Sequence, residues 1–105
     1  MRPYNVHRNL DRGTALSFPY LLDVQDPLLA SLATRVVIPL GPVELHENMF
    51  LWILTPEVKL PDGKYRLLTP EIASVPAHRL GPVAADLAGE WRAINEAIEM
   101  LFKGL

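Results

Sequence analysis

The apolar positions of this chain follow two rhythms. Up to residue 82 they come in short runs broken by proline, and all ten prolines lie there, from Pro3 to Pro82. Each proline removes a backbone donor and disfavours helix at the residue before it, so short strands are expected between them. In Ala15–Val24 the residues Leu16, Phe18, Tyr20, Leu22 and Val24 alternate onto one face, with Pro19 marking an edge strand or a bulge. Arg35-Val36-Val37-Ile38-Pro39-Leu40 is apolar on both faces, as a central strand would be. Phe50–Thr55 and Glu57–Leu60 lead into Pro61-Asp62-Gly63, where proline presets a turn and glycine takes positive φ, and Lys64–Thr69 closes the hairpin. Ile72–Leu80 reads as a last strand bent at Pro76. Tyr4–Arg8 reads as a first strand, with the polar stretch Asn9–Thr14 as its turn.

From Asp86 to Lys103 proline is absent and the rhythm becomes helical. Leu87, Trp91, Ile94, Ile98, Leu101 and Leu105 form one stripe, widened by Ala93, Ala97 and Met100. Asp86 is the expected N-cap, Glu90 suits the positive end of the helix dipole, and Lys103 followed by Gly104 is a stop signal. Glu99 and Lys103 form an i,i+4 pair in the favourable order, worth about 0.2–0.5 kcal/mol. The expected fold class is therefore α+β: five or so antiparallel strands in a small curled sheet with one C-terminal α-helix. Trp91 and Phe102 are expected to point in different directions, leaving apolar surface that a homodimer would bury.

Composition narrows the setting. The chain has 105 residues, half of them hydrophobic, which suits a single domain spanning residues 1–105. A net charge of −2 gives no long-range attraction for nucleic acid or an anionic membrane. No cysteine is present, which removes disulfides, thiol nucleophiles and thiolate metal sites. With no long apolar run at the N-terminus and none that spans a bilayer, a cytoplasmic protein is expected.

Catalytic patterns do not emerge. His7, His46 and His78 are scattered, and His46-Glu47 begins a zinc-protease motif that Phe50 fails to complete, so neither metal nor cofactor is expected. Ser74 sits in a strand rather than on a nucleophile elbow. Asp23 and Asp26 read as structural, Asp23 on a polar strand face and Asp26 starting a turn before Pro27. Glu90, Glu96 and Glu99 with Arg92 read as a solvated helix face. Leu28-Leu29 puts two large aliphatic residues in a turn, and on the residues alone they are expected to fold back onto the core. The ending Phe102-Lys103-Gly104-Leu105 suits insertion of a helix tip into a partner, although the spacing of Leu105 also lets it complete the stripe.

Several segments resemble one known family. Leu22-Asp23-Val24-Gln25, Arg35 to Leu40, Ala73-Ser74-Val75-Pro76, Val83-Ala84-Ala85-Asp86-Leu87 and the ending Ala97 to Leu105 together resemble the CcdB toxins of type II toxin–antitoxin modules. The resemblance runs from Leu22 to Leu105, with only the first strand and its turn loosely matched. It implies an SH3-like curled sheet of CcdB/MazF type and a homodimer with the C-terminal helix near the two-fold axis. It also implies a non-catalytic topoisomerase poison that serves plasmid maintenance, binding the A subunit of DNA gyrase and trapping the enzyme on cleaved DNA. A CcdA-like antitoxin would neutralise it, and the two together would repress their operon, CcdA making the DNA contact. The implied gyrase-binding positions are Leu28, Leu29, Glu99, Lys103, Gly104 and Leu105. The family pattern has Asn where this chain has Glu99 and Trp where it has Lys103. That Trp stacks on a gyrase arginine, which Lys103 would instead repel. Two alternatives follow: a homologue that binds antitoxin without poisoning gyrase, and, by fold analogy, a MazF-like messenger-RNA endoribonuclease. The latter would draw on Arg35, Arg66, Arg79 and His78.

Overall fold

The computed structural model describes residues 4–46 and 52–104. Its strands are β1 (Asn5–Asn9), β2 (Tyr20–Asp23), β3 (Thr34–Pro42), β4 (Glu57–Leu60), β5 (Gly63–Leu67), β6 (Ala73–Pro76) and β7 (Leu80–Asp86), followed by the helix α1 (Trp91–Lys103). They form one antiparallel sheet in the order β4-β5-β3-β2-β1-β7. The long strand β3 is shared: its first half, Thr34–Val37, pairs with β6, and its last residues, Leu40–Pro42, pair with β5. A strand that changes partner midway makes the sheet curl, and α1 lies in the curl. This is the α+β architecture expected, with the apolar run at residues 35–40 as the central strand.

Burial explains the curl. Val6, Leu22, Ile38, Leu40 and Leu67 from the sheet and Ile94 and Ala97 from the helix are fully buried. Tyr4, Val24 and Leu87 close the core, with Ile98 packed against it. At about 25 cal/mol per Å2, each large aliphatic side chain here contributes roughly 1.5–3 kcal/mol. The hairpin forms as expected, Leu60 facing Gly63 across Pro61-Asp62, and Gly63 takes φ of 152°.

Three expected strands differ, and one strand was not foreseen. The strand expected at Ala15–Val24 starts only at Tyr20, and Leu16 is 91% exposed. Local bonds take its first half instead. Asn9 Nδ2 donates to Thr14 Oγ1 and to the Phe18 carbonyl, and the Asp11 carbonyl accepts from the backbone N–H of Thr14 and Ala15. Trp52–Thr55 is turn rather than strand, while Phe50 and Leu51 lie outside the described residues. The bent strand expected at Ile72–Leu80 breaks into β6, a 3-10 turn at Ala77–Arg79, and β7. β7 was not foreseen beyond Leu80. It pairs with β1 at the sheet edge, where Pro82 can sit without costing a ladder bond.

The helix also starts later than its stripe. Asp86 is not the N-cap of α1, which is Glu90: Asp86 Oδ1 accepts the Ala88 N–H at the entry to the 3-10 turn Ala88–Glu90, whose own N-cap is Leu87. Eleven residues at 100° each end about 20° past three full turns, so Trp91 and Phe102 stem from one side of the helix rather than from different ones. Both stand outside the core, 43% and 70% exposed.

Candidate partner-binding surface

The aliphatic pair is held outward. Leu28 and Leu29 lie on the 3-10 turn Pro27–Leu29, and they are 89% and 46% exposed. They do not fold back onto the core as the residues alone suggested. Asp26 dictates this: its Oδ1 accepts the Leu28 N–H at 2.8 Å and its carbonyl accepts the Leu29 N–H at 2.9 Å. Proline at the first turn position has φ preset, so the side chains that follow project from a closed loop.

The segment leading into that turn is anchored. Asp23 receives both Nε and Nη2 of Arg35, the closest contact being 2.9 Å. Asp23 and Asp26 are thus structural, as their places suggested, although the partnership of Asp23 with Arg35 was not foreseen. Nothing in the spacing of residues 23 and 35 marks them as partners; β2–β3 pairing in register, with Asp23 opposite Val37, brings them together.

The second projection is the end of α1 at Gly104, whose φ of 67° lets its N–H return to the Met100 carbonyl at 3.0 Å. The expected stop signal operates as read. Glu99 and Lys103 are exposed on the solvent side with Glu90, Arg92 and Glu96. Among the described residues they make no ion pair, the pairs there being Arg35–Asp23, Lys64–Glu57 and Arg79–Asp11. Leu105 lies outside the described residues. Glu99 and Phe102 line a groove of about 370 Å3 whose other wall includes Val24, Gln25 and Ile72. The helix end and the root of the aliphatic turn therefore share a surface through Gln25, which also borders a pocket with Pro27 and Ala30. Leu28, Leu29, Lys103 and Gly104 do not line that groove.

The arginines that a ribonuclease reading would need are engaged elsewhere. Arg35 is bound to Asp23. Arg66 donates from Nε to the His46 carbonyl and from Nη1 to the Thr55 carbonyl. Arg79 pairs with Asp11 at 3.2 Å, and His78 is exposed beside it on the Ala77–Arg79 turn. Arg35 and Arg79 line different pockets.

Two further features escaped the sequence. Tyr20 donates to Asp62 Oδ2 at 2.8 Å and meets Tyr65 edge-on, with ring centres 5.2 Å apart. Burial, with Asp62 adding to it, pushes both tyrosine hydroxyls above their ordinary range, while the Tyr20 hydrogen bond holds the Asp62 carboxyl below its own. Trp52 and Trp91 flank a shallow pocket with Ile53 and Pro56 at the start of α1. Their aromatic content was visible in the sequence, but not that these two line one pocket. Among the described residues no helix is long and apolar enough to cross a membrane.

A curled antiparallel sheet closed by one C-terminal helix is thus joined to two exposed projections, the Leu28–Leu29 turn and the helix end. The family model described as CcdB protein matches residues 3–104, nearly the whole chain, and the chain belongs to the CcdB family, the toxins of toxin–antitoxin modules.

Proposed function

We propose that this toxin works by binding alone: it seizes the A subunit of DNA gyrase and holds the enzyme on cleaved DNA, and a CcdA-like antitoxin relieves it. The whole chain would act as one toxin domain, paired as a homodimer in the cytoplasm where gyrase works. The antitoxin would bring the contact with operator DNA for autoregulation. The observation that carries this reading is the outward presentation of Leu28 and Leu29, since large aliphatic side chains held in solvent by a capped turn serve a partner rather than the core. Leu29, Glu99, Lys103, Gly104 and Leu105 complete the proposed contact. The engagement of Arg35, Arg66 and Arg79 with framework groups supports binding over RNA cleavage.

The test is gyrase-mediated cleavage of plasmid DNA with and without the purified protein. Accumulating linear DNA is the expected result. Unchanged cleavage alongside tight capture of a CcdA-like antitoxin would favour the second reading, a homologue that has lost gyrase poisoning. Lys103 motivates it, since a cation stands exposed at the helix end where an aromatic anchor would stack on a gyrase arginine.

A further inference from the structure

The aliphatic turn is rooted in an ion pair that stability alone does not explain. Arg35 stands at the head of the apolar run Val36–Leu40, where a β-branched apolar residue would serve the strand. It is instead an arginine only 7% exposed, with Nη1 of its guanidinium buried and unpartnered. Withdrawing two charges from water offsets most of what their pairing returns, and an unmet buried N–H adds a penalty.

What the pair supplies is position. Nη2 of Arg35 donates to Asp23 Oδ2 at 2.9 Å and Oδ1 at 3.1 Å, and also to the Gln25 carbonyl at 3.2 Å. Asp23 Oδ1 accepts the Gln25 N–H at 3.0 Å, and Gln25 Oε1 accepts the Val36 N–H at 2.7 Å. The register of β2 with β3 ends at Asp23, so past Val24 the sheet no longer dictates the path of the chain. Gln25 is nevertheless held at its N–H, its carbonyl and its side chain. The next residue is Asp26, the cap of the turn that carries Leu28 and Leu29.

We propose that Arg35 is a positioning residue for partner recognition: by gripping Asp23 and the Gln25 carbonyl from the buried strand β3, it fixes the direction in which Leu28 and Leu29 project. The proposal rests on the reading that this turn meets the partner. A turn held in its bound conformation spares the ordering that association would otherwise require.

The experiment removes the grip while keeping the core filled. In the full chain, the paired change Asp23→Leu with Arg35→Met replaces the ions by apolar groups, a swap that buried pairs tolerate. Backbone 15N relaxation at Leu28, Leu29 and Ala30 should change from order parameters of about 0.85 to below about 0.6, with Ile38–Leu40 unchanged. Arg35→Lys keeps the charge opposite Asp23 but not the planar fork, and should give an intermediate loss of order even if the paired variant folds poorly. In gyrase cleavage, the half-maximal concentration of the paired variant should rise about tenfold, the cost of presenting a loose turn. Unchanged order at residues 28–30, or an equal loss across β3, would overturn the proposal. A wild-type chain inert toward gyrase would instead overturn the gyrase reading, and the order parameters would still decide the role of Arg35.

Discussion

The two projections of the candidate surface are built in opposite ways. The Leu28–Leu29 turn is short, apolar and tied to the buried centre of the sheet through Asp26, Gln25 and the Asp23–Arg35 pair. The helix end is polar at Glu99 and Lys103, and its last turn is held by one C-capping bond at Gly104. Its attachment lies further back, where Ile94 and Ala97 are fully buried. The lesson is a division of labour: one projection owes its geometry to a buried polar network, the other to a docked apolar stripe. Changes in affinity can accumulate at the helix end without disturbing the fold, whereas the grip on the turn reaches through Arg35 into the buried sheet.

Breaking the attachment of the helix should have the largest effect. Ile94→Ala empties a fully buried site, and denaturant unfolding should register a loss of about 2–5 kcal/mol, against at most about 0.5 for Glu96→Ala on the solvent face. Equal losses would refute the register of α1. Next comes the turn itself. Leu28→Glu should leave the melting temperature within a degree or two, because the side chain is 89% exposed, yet weaken gyrase capture by about 2 kcal/mol or more, as loss of an apolar anchor does. The mirror experiment, Lys103→Trp, should strengthen capture about tenfold or less by adding an aromatic face for a cation, with pull-down of gyrase A as the readout. A loss of capture would show that the helix end binds otherwise.

The smallest effect is a control that spares both projections. Tyr20 and Tyr65 have hydroxyl pKa values raised first by burial, then by Asp62. In the unfolded chain such groups ionise near 10, so their contribution is complete below that pH and fades as pH climbs toward the raised folded values. Asp62 has the opposite sign: its lowered pKa stabilises the fold at neutral pH, and that contribution goes as pH falls through the depressed folded value. Asp62 is exposed, so the acid limb should be slight. Thermal melts should therefore decline above about pH 10 while ultraviolet titration finds Tyr20 and Tyr65 unionised until unfolding; ordinary titration of both would contradict the cluster.

Where periodicity and punctuation agreed, the sequence was legible. The run at residues 35–40, the Pro61-Asp62-Gly63 hairpin and the stop at Lys103-Gly104 were all readable, because each depends on neighbours in the chain. Leu16 and Phe18 misled because alternation is also what a turn shows by chance when Asn9 and Asp11 capture its backbone. β7 was hidden because Pro82, Gly81 and two alanines carry little strand propensity, and its pairing with β1 spans most of the chain. Of the candidate surface, the residues were named through the family resemblance. Their presentation was not: the outward set of Leu28 depends on a cap and on Arg35, twelve residues from its partner Asp23. Long-range pairing of that kind leaves no local trace.

The most direct measurement is gyrase-mediated DNA cleavage with the purified chain beside its Leu28→Glu variant. Linear DNA is expected with the wild-type protein and little with the variant, both equally folded. Equal cleavage by the two would contradict it.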